Sequence, residues 1–334
     1  MTGAARTYSE RLGAISDAQF QEALDRLDLG VLRAARPVAF GLFGQNVMLE
    51  TSQGEFVFRG AQHGDWQFAK EVFFARLLAE WTRAPVAWPQ WLETSTDLFG
   101  WSYIITPRLP GQAMADPAII AGLSTEDRLA IARQQGETLA ALQTLTWEAA
   151  GDFDMALQDV APFAEGHIGH VIVDVNRHAG YAARSGSLSP EDRAWIDGVA
   201  ERAAAAEAGG AAVYLHNDFS LNNLLAEPRS GGWAITGVVD LMTSSFGAGE
   251  ADLCRQAANY LGQDPTLAKA LIDAYRGAAG GGPRDPARTS LHALYDRLLI
   301  WEYFTRPEHR ADWTRGRTFS AWARPFVDGL ADLF

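Results

Sequence analysis

Two aspartates and an asparagine within residues 213–253 have the side-chain types that phosphoryl transfer needs. Asp218 precedes Asn223 by five positions, and Asp240 follows two apolar runs separated by Arg229, Ser230, Gly231 and Gly232. Two β-rich runs around a glycine-containing turn predict a hairpin. Asn223 then lies at its entry and Asp240 at its exit, so Asp218, Asn223 and Asp240 are expected at one mouth. A carboxylate there can orient a hydroxyl and accept its proton, which suits Asp218. Carboxylate and amide oxygens are hard ligands that suit magnesium alongside phosphates, which fits Asn223 and Asp240. Asp and Asn also favour turns for local hydrogen-bonding reasons. It is therefore the joint spacing of these three with Asp252 that points to chemistry.

These motifs resemble the aminoglycoside phosphotransferase and choline kinase family, the small-molecule branch of the kinase-like fold. His216-Asn217-Asp218 stands where the family shows His-Gly-Asp, and Asn223 follows at the family's spacing. Val239-Asp240 matches its Ile-Asp. Gly247, Asp252 and Leu253 match its Gly-Asp-Pro-x-x-Asp-Leu tail, with Ala248-Gly249 replacing Asp-Pro. The Asp218-Phe219-x-x-Asn222-Asn223 segment is most similar to the hygromycin phosphotransferases. The resemblance implies that Asp218 is the catalytic base and that His216 supports its loop by hydrogen bonds. It places Mg2+ on Asn223 and Asp240, and makes Asp252 a brace for the loop after Asp240. ATP or GTP is the implied phosphoryl donor. The acceptor is a small molecule, an antibiotic: an aminoglycoside first, then a nucleoside, macrolide or peptide antibiotic. Choline-like or sugar metabolites are the remaining metabolite class. The implied fold is α+β and two-lobed, protein-kinase-like. A small N-lobe with an antiparallel sheet spans residues 1–106, and a larger, mainly helical C-lobe spans residues 107–334.

The remaining elements must position these groups. Residues 38–49 and 55–59 read as antiparallel strands behind a loop containing Gly41 and Gly44. Glycine allows backbone N–H groups to approach phosphates closely. Arg59 stands where kinase-like proteins carry the strand lysine that holds the α and β phosphates. Arginine keeps the charge and can grip phosphate bidentately. Residues 68–78 have helical periodicity, and Glu71 on them matches the helix glutamate that pairs with that cation. Strand 101–106 runs into Pro107-Arg108-Leu109-Pro110-Gly111, similar to the family's interlobe linker, which puts a nucleotide-contacting hinge at Thr106 to Arg108. Backbone groups at such a hinge do not separate ATP from GTP.

Ser16 with Gln19, Ser124, and Ser189 with Pro190 are helix-start signals. Residues 200–212 are expected to continue the last of these helices up to Gly209-Gly210. Residues 277–284 read as a flexible surface connection. Aromatic residues from Tyr295 to Phe326 have the helical spacing of a core. Asp296, Trp301, Glu302 and Tyr303 are candidate substrate contacts, with packing explaining the aromatics and solvation the acids.

The net charge of -13 argues against a nucleic-acid partner, which requires a basic face. The single cysteine, Cys254, excludes an internal disulfide and reads as a packed helix residue. Without an apolar run of about 18 residues or an apolar signal core, no membrane association is expected. The expected location is cytoplasmic, as a monomer or homodimer. Two readings from other classes remain: an inactive nucleotide-binding regulatory module, motivated by the missing strand lysine, and a magnesium-dependent hydrolase using the acidic cluster. The hydrolase leaves Arg59 and Glu71 unexplained.

Overall fold

Burial alternates along Asn46–Thr51 and again from Phe56 to Gly60, so Val47, Leu49, Phe56 and Phe58 point to one side of a sheet. The period-2 placement of side chains explains why these apolar residues share a face. The computed structural model describes residues 5–38, 44–114, 116–206, 211–230, 232–281 and 285–333. It divides into two units, Met1–Leu123 with Leu221–Thr243, and Ser124–Ser220 with Ser244–Phe334.

In the first unit, strands Leu32–Pro37, Asn46–Thr51, Gly54–Gly60, Tyr103–Pro107 and Trp91–Glu93 form an antiparallel sheet in that spatial order. Helix Asp17–Arg26 begins with the expected capping box, Ser16 and Gln19 exchanging side-chain and backbone hydrogen bonds. It seals one face with Phe20, Ala23 and Leu24. Phe20 meets Phe58 edge-on at 5.2 Å, and Phe58 stacks on Tyr103 at 5.3 Å. Helix Trp66–Trp81 follows the strand that ends at Gly60. The predicted hairpin forms from Leu224–Arg229 and Gly232–Val238.

The compact units divide the chain elsewhere than residues 106 and 107, the expected lobe boundary. The short strand Gln112–Ala113 extends the hairpin, and Met114 N–H donates to Leu224 O at 3.0 Å. Thr236 Oγ1 donates to Pro110 O at 2.6 Å. Gly111, at φ +103, leaves no room for a side chain, since a Cβ would lie 2.3 Å from Thr236 Oγ1. These bonds bind the linker and the hairpin to one another.

The second unit is mainly helical. Helices Thr125–Leu142 and Pro265–Ala278 approach so closely that a Cβ on Gly136 would lie 2.3 Å from Leu271 O. Both carry leucines inward, Leu139 and Leu142 on one, Leu267 and Leu271 on the other. A five-stranded antiparallel sheet accompanies them, in which strand Ala212–Leu215 lies between Ser245–Gly247 and Thr146–Trp147. Asp192 serves two helices: it completes the capping box of helix Pro190–Ala205 with Ser189, and its Oδ1 accepts from Ser320 N at 2.8 Å. That helix stops at Ala205, and Ala212 is already strand, so the expected helical continuation across residues 200–212 is corrected. The backbone there is drawn into sheet pairing, Ala212 with Trp147 and Val213 with Gly247. Residues 207–210, and 282–284 of the glycine-rich connection, lie outside the described residues. Among the described residues no helix is long and apolar enough to cross a membrane. Cys254 is fully buried.

Helices Gly166–Arg184 and Pro286–Thr305 bring His167 and His292 into a stack with ring centroids 5.3 Å apart. Burial, helped by the charges of His170 and Arg288, lowers His167 to about 4. Burial also lowers His292 well below the ordinary histidine value, with His167 and Arg288 adding to it. The folded pKa of each lies below its unfolded value near about 6.5, so the unfolded chain takes up more protons as pH falls. Their contribution to stability is complete above that value and is lost on acidification through it. His292→Leu should therefore show a smaller decrease in urea midpoint between about pH 7 and about pH 5 than the unsubstituted protein. Equal decreases in the two proteins would contradict this account.

Candidate active site

Strand Ala212–Leu215 delivers the chain into a loop whose backbone is held by a buried carboxylate. Asp252, near the start of helix Glu250–Leu261, accepts from His216 N at 2.7 Å through Oδ2 and from Asn217 N at 2.7 Å through Oδ1. Burial pushes the Asp252 carboxyl up, against the charge of His216 and the two backbone donors. This corrects the expectation that Asp252 braces the loop after Asp240: its partners lie in the loop that leads to Asp218. His216 is buried, and its Nδ1 accepts from Asp218 N at 3.3 Å.

Asn217 has φ +61, a left-handed conformation that glycine and asparagine adopt at lower cost than most residues. The loop therefore accommodates Asn where the family shows Gly. Asn217 Nδ2 also donates to Ser245 Oγ at 2.7 Å. The altered tail is likewise matched by its neighbours. A Cβ on Gly247 would lie 2.5 Å from the His167 ring, and Ala248 N donates to His167 Nδ1 at 3.1 Å. Gln143 Nε2 donates to Gly249 O at 3.0 Å.

The Asp218 carboxylate has a partner that sequence reading missed. Arg255 Nη1 lies 2.6 Å from Asp218 Oδ1, while its Nε lies 2.9 Å from Asp296 Oδ1. Arg255 is one helical turn beyond Asp252, so the two share a face of their helix. That spacing was the available signal. Burial works against the Arg255 charge, but Asp296 and Asp218 outweigh it and raise its pKa.

A second group belongs to the first unit. Arg59, on strand Gly54–Gly60, pairs with Glu71, on helix Trp66–Trp81. Its other guanidinium nitrogen, Nη2, lies 3.8 Å from Asp240 Oδ1. Burial raises the Glu71 pKa, with the Arg59 charge pulling it down. Gln67 Nε2 donates to Glu71 Oε1 at 3.3 Å and to Gln45 Oε1 at 3.4 Å, and Gln45 Nε2 donates to Ala61 O at 2.9 Å. This ties the strand that follows Gly44 to the helix that carries Glu71.

Asn223 and Asp240 lie at the same end of the hairpin. Leu224 pairs with Val238, and Val239 N donates to Asn223 O at 3.0 Å. Asp240 has φ +66, and its Oδ1 is buried without a hydrogen-bond partner among the described residues. A buried carboxylate oxygen lacking a hydrogen bond, beside an amide residue, fits the donor chemistry of magnesium. Among the described residues no cluster of three or more His, Cys, Asp or Glu is arranged to hold a metal.

Gly41 lies outside the described residues. Gly44 has φ +59, and a Cβ there would lie 2.9 Å from Ser9 Cβ, so both backbone and space call for glycine. Thr106 pairs with Val57 and Pro107 with Phe56 at the end of the strand, and Arg108 N donates to Glu55 O at 3.0 Å. The acids expected to be solvated are buried. Asp296 is enclosed by Arg255 and Arg297, which lower its pKa against the effect of burial. Glu302 pairs with His178 and Arg306. Trp301 is buried against Trp313, Phe319 and Trp322, and Tyr303 is exposed and stacks on His309 at 4.3 Å.

Two substitutions separate the needs of the loop at position 217. Asn217→Gly keeps the left-handed backbone and loses the bond to Ser245. Asn217→Ala loses that bond and adds backbone strain of about 1 kcal/mol. Thermal unfolding should rank the midpoints Asn above Gly above Ala, and an alanine variant as stable as the unsubstituted protein would overturn this reading.

The sequence profile of the phosphotransferase enzyme family matches residues 34–292. No curated protein matches the chain. Solved structures do. A protein of Ralstonia eutropha JMP134 assigned to the aminoglycoside phosphotransferases is similar at TM-score 0.66 and 15% identity, over 95% of this chain and 97% of that one. Aminoglycoside 2'-phosphotransferase-IIIa, in complex with GDP, is similar at TM-score 0.63 and 12% identity, over 97% and 99%. A thermostable mutant of the aminoglycoside phosphotransferase APH(4)-Ia, in complex with ADP and hygromycin B, is similar at TM-score 0.60 and 14% identity, over 93% and 97%. These likenesses establish the kinase-like α+β fold. With the profile covering most of its length, the chain belongs to the phosphotransferase enzyme family.

Proposed function

We propose that this phosphotransferase moves the γ-phosphoryl group of ATP or GTP to a hydroxyl of a small molecule, with an aminoglycoside antibiotic as the first acceptor class. The observation that carries this reading is the restraint on residues 216–218. Asp252 holds the loop backbone, and Arg255 contacts the Asp218 carboxylate. A carboxylate held in this way can orient a hydroxyl and accept its proton, which is the demand that phosphoryl transfer makes of a protein group.

Asp218 is the base and His216 a support for its loop. Arg59, seated on Glu71, holds the α and β phosphates. Two hydrogen-bonding edges let one guanidinium face Glu71 and Asp240 together, whereas an ammonium is a point charge. Asn223 and Asp240 would hold magnesium through their amide and carboxylate oxygens. When bound, the ion neutralises charge developing on the phosphates. The backbone around Gly44 contributes to phosphate binding, and the segment from Thr106 to Arg108 to binding of the base. Antibiotic acceptors are supported by membership of the family and by the hygromycin B complex of APH(4)-Ia.

Nucleotide turnover with ATP or GTP and magnesium, against aminoglycoside, nucleoside, macrolide and peptide antibiotics, tests the proposal. One class should stimulate turnover and gain a single phosphoryl group. Asp218→Asn should lose at least about 10²-fold in rate, and chelation of magnesium should abolish transfer. Nucleotide binding without transfer to any acceptor would favour the regulatory module. Phosphate release equal in variant and unsubstituted protein would remove Asp218 from its role.

A further inference from the structure

Helix Glu250–Leu261 carries Asp252, Arg255 and Asn259 along one face, at the i, i+3, i+7 spacing that aligns side chains. Each has a partner. Asp252 takes the backbone N–H groups of His216 and Asn217. Asn259 Oδ1 accepts from Arg297 Nη2 at 3.3 Å. Arg255, between them, uses two nitrogens in two directions, Nη1 toward Asp218 Oδ1 at 2.6 Å and Nε toward Asp296 Oδ1 at 2.9 Å.

Nη1 hydrogen-bonds to Asp218, while the Nε contact with Asp296 is an ion pair without hydrogen-bond geometry; a planar guanidinium held by charge between two carboxylates still has few directions open to it toward Asp218. Asp296 is itself buried and held from behind: Arg297 Nε donates to Asp296 Oδ2 at 3.0 Å. The Arg297 guanidinium packs on the Phe326 ring at 4.9 Å and the Trp322 ring at 5.5 Å. The sequence Asp218, Arg255, Asp296, Arg297 thus alternates in charge from a partly exposed carboxylate to the aromatic interior. Asp218 lies at its solvent end, with its side chain 38% exposed. Backbone and side chain of the loop are therefore restrained separately, from the same helix.

We propose that Arg255 is a positioning residue for phosphoryl transfer: it fixes the direction of the Asp218 carboxylate, and Asp296 fixes Arg255. The proposal rests on Asp218 being the base. A carboxylate that rotates away from the acceptor hydroxyl leaves nucleotide binding intact and slows transfer. The expected signature is a fall in kcat with little change in the KM for nucleotide, because misplacement of about 1 Å at a reacting group costs about 10²-fold.

Steady-state kinetics with ATP, magnesium and the antibiotic giving fastest turnover, or water as acceptor where none does, provide the test. Arg255→Met should lower kcat by about 10²-fold with the nucleotide KM within about twofold. Arg255→Lys keeps the charge but cannot span both carboxylates, so its kcat should lie between the two, about tenfold below the unsubstituted protein. Because Arg255 acts through Asp218, Arg255→Met should cost nothing further in an Asp218→Asn background. Arg255→Lys with unsubstituted kcat would overturn the proposal, and this variant decides the matter if Arg255→Met fails to fold. An undiminished cost of Arg255→Met in the Asp218→Asn background would also overturn it, by making Arg255 merely structural. Full transfer by Asp218→Asn alone would instead refute the role of Asp218 on which the proposal rests.

Discussion

A buried carboxylate that accepts two backbone N–H bonds is the constraint on which the rest of the loop depends. Asp252 is almost wholly removed from water, and burial disfavours its charge. A buried charge is tolerable only when hydrogen-bonded or paired, and removing its partners costs several kcal/mol. The bonds from His216 and Asn217 meet that demand, and in doing so leave the loop little choice of path. The turn at Asn217 follows, and Asn or Gly is favoured there because of its positive φ. The interior of the second unit, packed helix on helix, supplies the rigid base from which Asp252 reaches.

A different device holds the charged residues of the first unit. Glu71 is buried on a helix, and Arg59 reaches it from the neighbouring strand with one nitrogen while presenting another to Asp240. Gln67 and Gln45 complete the polar network around Glu71, so its carboxylate is satisfied in an interior that would otherwise disfavour it. Arginine suits this position for a geometric reason. Its planar fork can serve two acidic residues at once, which a lysine ammonium on a flexible stem does less well. The absence of the strand lysine is thus accompanied by a local arrangement built for arginine.

Much of this was legible before any coordinates. Residues 16–19, 124–127 and 189–192 form the capping boxes that begin three helices, because capping is local chemistry between residues three apart. The hairpin ending at Asp240 was legible from its two β-rich runs and its turn. Other features were not. The alanine-rich segment around residues 200–212 has high helix propensity, yet its end is strand, because sheet partners distant in sequence decide the matter. Asp296 and Glu302 read as solvated acids, since sequence alone does not place arginine or histidine partners beside them.

The amino-acid sequence by itself determined the family and the order of the residues proposed to carry the reaction, because their types and spacing are read directly along the chain. Only the tertiary structure decided what restrains them. Asp252 lies 36 residues from His216, and Arg255 lies 37 from Asp218 and 41 from Asp296. Contacts at such separations depend on how helices pack, and packing follows from the summed burial of many apolar side chains. No local pattern encodes that a carboxylate will lie under a backbone turn or that a guanidinium will bridge two aspartates.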